Sequence, residues 1–217
     1  MPPFPFNESR QMKPYPEIPA GPRKGVPVFV FDKLDGSNIR VEWSKKRGFY
    51  KFGRRHGLLD DSNPILRDEA PGLILDRYGD DLARIFRKQR WDRIIAFSEF
   101  YGPNSFAGNH EAEPHVVTLL DVNVHRRGIL EPGKFLNLFE DVPAGVPRVL
   151  HHGNFTADLK EEVQEGTLEG MTFEGVVAKG KNSSPGRPLM LKWKNYAWLR
   201  KLKNYCGENM KLYNQMM

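Results

Sequence analysis

Val28-Phe29-Val30-Phe31-Asp32-Lys33-Leu34-Asp35-Gly36-Ser37-Asn38-Ile39-Arg40-Val41-Glu42-Trp43 sets one lysine at the end of an apolar run and follows it with a polar turn. Residues 28 to 31 read as a buried strand. Asp35-Gly36-Ser37-Asn38 carries the residue types that turn a chain sharply, and Ile39, Val41 and Trp43 then resume period-two alternation. Lys33 therefore falls at a strand end. A lysine is a nucleophile only when neutral, and from a reference pKa near 10.4 the neutral form costs roughly 4 kcal/mol at pH 7.4. Burial and neighbouring cations lower that cost. Taken alone, the string also fits a β-hairpin whose lysine happens to precede the turn, so the decision rests on what lies downstream.

Composition narrows the classes. The chain has 217 residues, 39% of them hydrophobic, which suffices for one substantial domain with its own core. No run approaches the roughly 18 apolar residues of a membrane span, and the N-terminus has neither a basic nor an apolar leader region. The expectation is an intracellular, cytoplasmic protein with no membrane partner, and a viral source is compatible with it. Cys206 is the only cysteine, so there is no intrachain disulfide and no cysteine-based zinc site. The adjacent His151 and His152 cannot share a helix face as an i,i+4 metal pair does, and read as structural residues. A formal charge of +6 points to a polyanionic partner, nucleic acid first.

Residues 1–27 hold eight of the 17 prolines and read as an extended lead-in over the domain, anchored through Pro14-Tyr15-Pro16-Glu17-Ile18. Strands are predicted at about 28–33, 38–43 and 48–53 as an antiparallel meander, the last two joined by Ser44-Lys45-Lys46-Arg47-Gly48. A helix follows over 80–90, with Leu82, Ile85 and Phe86 on one face, then strands at 94–100 and 116–124. Pro132 suits the first turn of a short helix through Phe139, and Thr156 or Asp158 can cap another through Val163. Two further strands are expected at 173–179 and 188–194. The catalytic unit is thus expected over 28–195, with a basic, initially helical tail over 196–217.

Polar clusters recur at the edges of these strands. Gly53-Arg54-Arg55-His56-Gly57 offers guanidinium groups that can bind a phosphate bidentately. Ser98-Glu99-Phe100-Tyr101-Gly102 places one carboxylate where it can accept hydrogen bonds from ribose hydroxyls. Phe173-Glu174-Gly175-Val176-Val177-Ala178-Lys179 offers a second, suited to holding a metal or orienting the lysine. In Leu191-Lys192-Trp193-Lys194 the alternation points both lysines to one side of a strand.

Together these clusters resemble the covalent nucleotidyltransferase superfamily, and most closely the ATP-dependent RNA ligases of the phage RNA ligase 2 type, which include the RNA-editing ligases. The family's motifs occur in its order: Lys33 to Asn38, Arg55-His56-Gly57, Ser98-Glu99-Phe100 with Gly102, Glu174-Gly175-Val176-Val177, and Lys192-Trp193-Lys194. The resemblance implies an α+β fold, an adenylation domain of antiparallel sheets flanked by helices with an ATP-grasp-like core. It implies that Lys33 attacks the α-phosphate of ATP to give lysyl-AMP, that AMP passes to an RNA 5′-phosphate, and that a 3′-hydroxyl displaces it. Glu174, Lys192 and Lys194 join Lys33 as catalytic residues. Asp32, Asn38, Arg55, Glu99 and Leu120 complete the implied nucleotide site, with Mg²⁺ or Mn²⁺ on Glu174 and RNA ends, including those of a nicked duplex, as substrate.

Two departures from the family pattern stand out. Thr118-Leu119-Leu120-Asp121-Val122 has Leu120 where relatives carry an aromatic residue against adenine, a loss of about 1 kcal/mol of stacking, although only one of the two leucines need face the pocket. And 23 residues follow Lys194, where many relatives append a further domain. RNA contact is then expected on Arg40, Lys45, Lys46, Arg47 and Lys51 near the first hairpin and on Arg200, Lys201 and Lys203. Trp193, Tyr196 and Trp198 could stack on bases, with at least two of them going to the core instead. The alternatives are a minimal DNA ligase or a GTP-dependent capping guanylyltransferase, and a non-catalytic RNA-binding module.

Overall fold

Period-two patterning in the opening stretch becomes β1 (Pro27–Asp32), whose Val28 and Val30 face one core while Phe29 and Phe31 face another. A computed structural model describes residues 12–21, 25–103, 105–106, 113–142, 145–184 and 186–217. The first eleven residues of the proline-rich lead-in, and 22–24, lie outside the described residues. In chain order follow β2 (Ser37–Ser44), β3 (Gly48–Arg54), β4 (Gly57–Leu58), α1 (Pro64–Ile74), α2 (Asp80–Lys88), β5 (Arg93–Tyr101), β6 (Val116–Val124) and β7 (Gly128–Ile129). The second half of the chain contributes α3 (Pro132–Phe139), β8 (Val149–Asn154), α4 (Ala157–Glu165), β9 (Gly175–Ser184), β10 (Arg187–Lys194), α5 (Tyr196–Cys206) and α6 (Met210–Met216).

The strands form two antiparallel sheets, one of order β10-β9-β1-β8 and one of order β4-β3-β2-β5-β6-β7. This corrects the meander: β2 and β3 pair as a hairpin, but β1 belongs to the other sheet. β1 is apolar on both faces, the pattern of an interior strand, and lies between β9 and β8. The polar turn after Lys33 carries the chain from one sheet to the other. It passes so close to β5 that a Cβ on Gly36 would sit 2.3 Å from the Phe100 carbonyl oxygen. Glycine is therefore required there.

The main core lies between the six-stranded sheet and the helical run from α1 to α3, with Trp43, Tyr78, Phe86 and Phe139 fully buried. α4 covers the four-stranded sheet, where Leu159 and Val163 meet Val30, Val176 and Leu191. Thr156 caps α4 by accepting from the Leu159 N–H at 3.2 Å, one of the two caps expected. α1 and β8 were not expected. Asn63 caps α1 and Pro64 sits in its first turn, but Pro71 lies inside it, and a π-turn over Leu75–Gly79 then joins it to α2. A proline and a glycine (Pro71-Gly72) within eleven residues hide the helical period from a sequence reading. β8, Val-Leu-His-His-Gly-Asn, lacks alternation because it is an edge strand, and His152 packs by stacking on Phe29 at 3.9 Å.

Residues 12–20 run extended across the domain. Ala20 bridges to Lys192 and the Lys192 N–H donates to the Pro19 carbonyl at 3.0 Å. Among the described residues no helix is long and apolar enough to cross a membrane.

Candidate active site

β9 has β1 on one side and β10 on the other, so the residue that leads into it receives one lysine from each neighbour. Asp32 pairs with Val176, Lys194 pairs with Gly175, and the Lys33 N–H donates to the Gly175 carbonyl at 3.0 Å. Gly175 has φ of 135°, and a Cβ there would lie 2.1 Å from the Trp193 carbonyl oxygen, so β9 and β10 close up only on glycine. Glu174, buried just before it, accepts from Lys33 Nζ on Oε2 at 2.7 Å and from Lys194 Nζ on Oε1. The two lysines occupy both oxygens of one carboxylate.

This pair of ion pairs forms the wall of a cleft of about 570 Å³ between the two sheets. Asn38, Glu99, Arg55, Leu120 and Lys192 also line it. β2 and β5 set Asn38 opposite Glu99 in register. Asn38 donates through Nδ2 to the Ser98 carbonyl at 3.3 Å, while its buried Oδ1 has no protein partner among the described residues. Arg55 is exposed in the turn after β3 and makes no ion pair among the described residues, whereas Arg54 beside it holds Asp60 at 3.1 Å. The sequence thus brought Lys33, Asn38, Arg55, Glu99, Leu120, Glu174, Lys192 and Lys194 to one place. Asp32 is the exception in kind, since its buried carboxylate is taken by the backbone N–H and hydroxyl of Thr172. It anchors the loop before Glu174.

Burial draws the Lys33 amine down, but Glu174, Glu99 and Asp35 together outweigh it and hold the pKa above 10.5. The free protein therefore keeps Lys33 protonated on Glu174. Lys194 moves the other way, to about 8, because burial dominates and Lys33 and Lys192 repel it. It lies 3.6 Å from the centre of the Trp198 ring, whose indole N–H donates to Asp35. Burial and the nearby Lys33 and Arg55 also pull Lys192 down. Its amine donates to the Met217 carbonyl.

Glu99 is pushed up to about 8 by burial first, then by Glu174 and Asp35, against the opposing pull of Lys33 and Arg55. A folded state that holds this proton more tightly than the unfolded chain gains stability that is complete below about pH 4.5 and lost as pH rises through about 8. Glu99→Gln is neutral at every pH and lacks this dependence. Its melting temperature relative to the parent is expected to climb from pH 5 to pH 8, by at most about 1.4 kcal/mol per pH unit in stability, and then level off. A constant offset in scanning calorimetry would show that Glu99 is ionised in the fold throughout.

Three side chains meet at the far end of the cleft: Lys179 and Asp121, which had no assigned role, and Tyr15 of the expected anchor of the lead-in. Lys179, 4% exposed, donates to the Leu120 carbonyl at 2.9 Å and to Asp121 at 2.8 Å, and Tyr15 from the lead-in donates to the same Asp121 oxygen. The only sequence signal for them was a lysine two residues after Val177 in an apolar strand, which a paired buried cation explains. Leu120 is half-buried and faces the cleft, while Leu119 is fully buried in the main core. Arg40 is not surface: it is 2% exposed and donates to the carbonyls of Met12, Arg54 and Gly57. Trp193 and Trp198 are core residues and Tyr196 is exposed.

A sequence profile of the RNA ligase family matches residues 26–194. No curated protein matches the chain. Among solved structures, an archaeal ATP-dependent RNA ligase superposes with a TM-score of 0.67 at 16% identity, covering 94% of this chain and 56% of that one. A putative ATP-dependent DNA ligase from Aquifex aeolicus gives 0.65 at 23% identity over 94% and 57%. A mutant of the Naegleria gruberi RNA ligase with AMP and Mn gives 0.61 at 16% identity over 82% and 52%. At these identities the likeness is one of fold, and the chain spans a little over half the length of each.

Proposed function

The chain belongs to the RNA ligase family, and from that premise we propose that it is an ATP-dependent RNA ligase working through lysyl-AMP. The observation that carries this reading is the Lys33–Glu174–Lys194 arrangement at the wall of a cleft that also holds Glu99 and Asn38. Lys33 Nζ attacks the α-phosphorus of ATP, a P–N bond forms, the P–O bond to the β-phosphate breaks, and pyrophosphate leaves. AMP then passes to an RNA 5′-phosphate as the P–N bond breaks, and a 3′-hydroxyl attacks the activated phosphate to release AMP.

Each displacement needs alignment and stabilised oxygen charge more than acid or base strength. Lys192, Lys194 and Arg55 are the cations at the cleft. Glu174 Oε2, already bonded to Lys33 Nζ, is the group positioned to take the amine's proton before attack. Glu99 holds the ribose hydroxyls, and the free Oδ1 of Asn38 accepts a further hydrogen bond from the bound nucleotide or its water. The base lies at the Leu120 end, against an aliphatic side chain.

Among the described residues no three Asp, Glu, His or Cys side chains converge as a resident metal site. Glu174, whose oxygens hold Lys33 and Lys194, is the carboxylate on the cleft that would hold Mg²⁺ or Mn²⁺ arriving on ATP, since such ions keep phosphate oxygens and water among their ligands. The metal's part is to neutralise the triphosphate.

A second reading, sealing of DNA, is favoured by the likeness to the Aquifex protein. Incubation with α-labelled ATP or GTP and Mg²⁺, then denaturing electrophoresis and a chase with nicked RNA or DNA duplexes, separates these. Label from ATP alone, released on sealing of 5′-phosphorylated RNA, is expected. Label from GTP, or sealing confined to DNA, would replace the RNA ligase reading, and no covalent label would remove it.

A further inference from the structure

Lys45, Lys46 and Arg47 do not lie beside the cleft as their place in the sequence suggests. β2 and β5 pair Asn38 with Glu99 at the cleft and Ser44 with Arg93 at the other end, six residues or about 20 Å away. At that far end three connections come together. The β2–β3 turn carries Lys45, Lys46 and Arg47, all exposed. The end of α2 and its exit into β5 carry Arg87, Lys88, Arg90 and Arg93, all exposed, and Arg87 lies 6.0 Å from the Trp43 ring of β2. The β6–β7 turn adds exposed Arg126 and Arg127, with His125 against Arg93 at 2.8 Å. Backbone hydrogen bonds tie the three together, from Lys45 to Asp92 and from His125 to Arg93, each at 3.0 Å.

Helix-dipole compensation accounts for Arg87 and Lys88 at the C-terminus of α2, not for the rest. Asp92 is the one carboxylate in the three connections 44–48, 89–93 and 125–128. Among the described residues, the only non-glycine positions with positive φ are Arg90, at 56°, and Arg126, at 64°. Arg90 is the left-handed residue that ends α2, with the Trp91 N–H donating back to the Phe86 carbonyl, and Arg126 lies in the β6–β7 turn. Glycine or asparagine takes such positions most readily, yet both present a guanidinium. The one exposed ring in the three connections is His125, held against Arg93; Trp43 and Trp91 are buried, and Tyr50 lies under Arg47 at 4.1 Å with its hydroxyl bonded to Glu42.

We propose that this end of the six-stranded sheet is a second nucleic-acid surface that holds the phosphate backbone of a duplex about 20 Å from the site of joining. A patch made of cations, its one exposed ring held by Arg93, fits phosphates on paired strands rather than splayed bases. The turns spread across three strand spacings, about 14 Å, and a duplex reaching from the cleft to them needs an arm of at least about six base pairs, the number for the 3.4 Å rise of B-form DNA, since A-form RNA rises less per pair. The inference deepens the ligase reading and rests on it for the identity of the duplex.

The test combines Lys46→Gln, Arg90→Asn, Arg126→Asn and Arg127→Gln in one protein, asparagine being chosen because it tolerates positive φ. Binding of a nicked RNA duplex of about 24 base pairs is followed by fluorescence anisotropy between about 50 and 200 mM salt. The variant is expected to bind at least about 30-fold more weakly at the lower end, with the slope of log K against log salt shallower by about 3. Self-labelling with ATP, which uses none of these residues, is expected to match the parent and so reports an intact fold. Duplexes with arms under about five base pairs are expected to bind parent and variant alike. An unchanged slope overturns the proposal, as does a variant that keeps RNA binding but loses binding to phosphatidylserine vesicles. Because anisotropy needs no catalysis, a parent that takes no label while the slopes still differ leaves this surface standing and removes the ligase reading alone.

Discussion

Lys33→Ala protein incubated with α-labelled ATP and Mg²⁺ is expected to carry no covalent label, a loss of roughly a thousandfold or more, the scale on which removing a covalent nucleophile acts. The loss should come without unfolding. Lys33 is 21% exposed in its side chain, and Glu174 keeps its second partner, Lys194, when Lys33 is removed. One hydrogen bond to a charged group is at stake, about 1.5–3 kcal/mol, or a melting temperature lower by about 3–12 °C for a chain of this size. Lys33→Arg sharpens the result. Its guanidinium can still pair with Glu174 but stays protonated at any working pH, so the fold should hold while labelling stays absent. Label retained on either variant, located by peptide mapping to another residue, would overturn the assignment of the nucleophile.

Why Lys33 could be read from sequence while its surroundings could not is a matter of range. A strand end in an apolar run followed by Gly36 is a local pattern, and so are Glu99, Glu174 and the Lys192, Lys194 alternation. Which strands become neighbours is not local. β1 looks like the first strand of a hairpin with β2, yet its Phe29 and Phe31 face one core and its Val28 and Val30 another. Pairing with β9, about 145 residues away along the chain, and with β8 on the other side satisfies both. The same non-local pairing put Lys45, Lys46 and Arg47 at the far end of a sheet whose near end holds the cleft. Arg40 was misread because alternation makes a strand arginine look solvated, whereas three backbone carbonyls receive it. α1 escaped because Pro71 breaks the period that identifies a helix, although Asn63 followed by Pro64 was a legible start. Lys179, Asp121 and Tyr15 come from two strands and the lead-in, and nothing in the spacing of the three announces their contact.

Glu174→Gln should show the largest coupled effect on stability and chemistry, because one buried carboxylate serves two lysines, Lys194 buried and Lys33 half-buried. Glutamine matches the shape but removes the charge, leaving Lys33 and Lys194 to repel each other where burial already disfavours both. Removing one partner of a buried ion pair costs about 3–5 kcal/mol, and the melting temperature at pH 7 is expected to fall by about 6–20 °C. The sign of the pH dependence is the stronger check. In the parent, carboxylates raise the Lys33 pKa above 10.5, so its pairing contributes stability throughout the neutral range and loses it only as pH rises through the folded value. Without Glu174 the burial that lowers both amines goes unopposed by its main counterweight, and both folded values drop. Groups with depressed values destabilise the fold increasingly as pH falls. The deficit of Glu174→Gln relative to the parent should therefore be widest near pH 6 and narrow toward pH 9.5, and residual labelling should reach its plateau at a lower pH than in the parent, since Lys33 then loses its proton more easily. Labelling itself should still fall at pH 7.5, by about a hundredfold or more, because the same oxygen that held the proton is the one positioned to receive it and to orient the amine. A stability offset independent of pH, together with an unmoved labelling profile, would show that Glu174 is not the charge on which the two lysines depend.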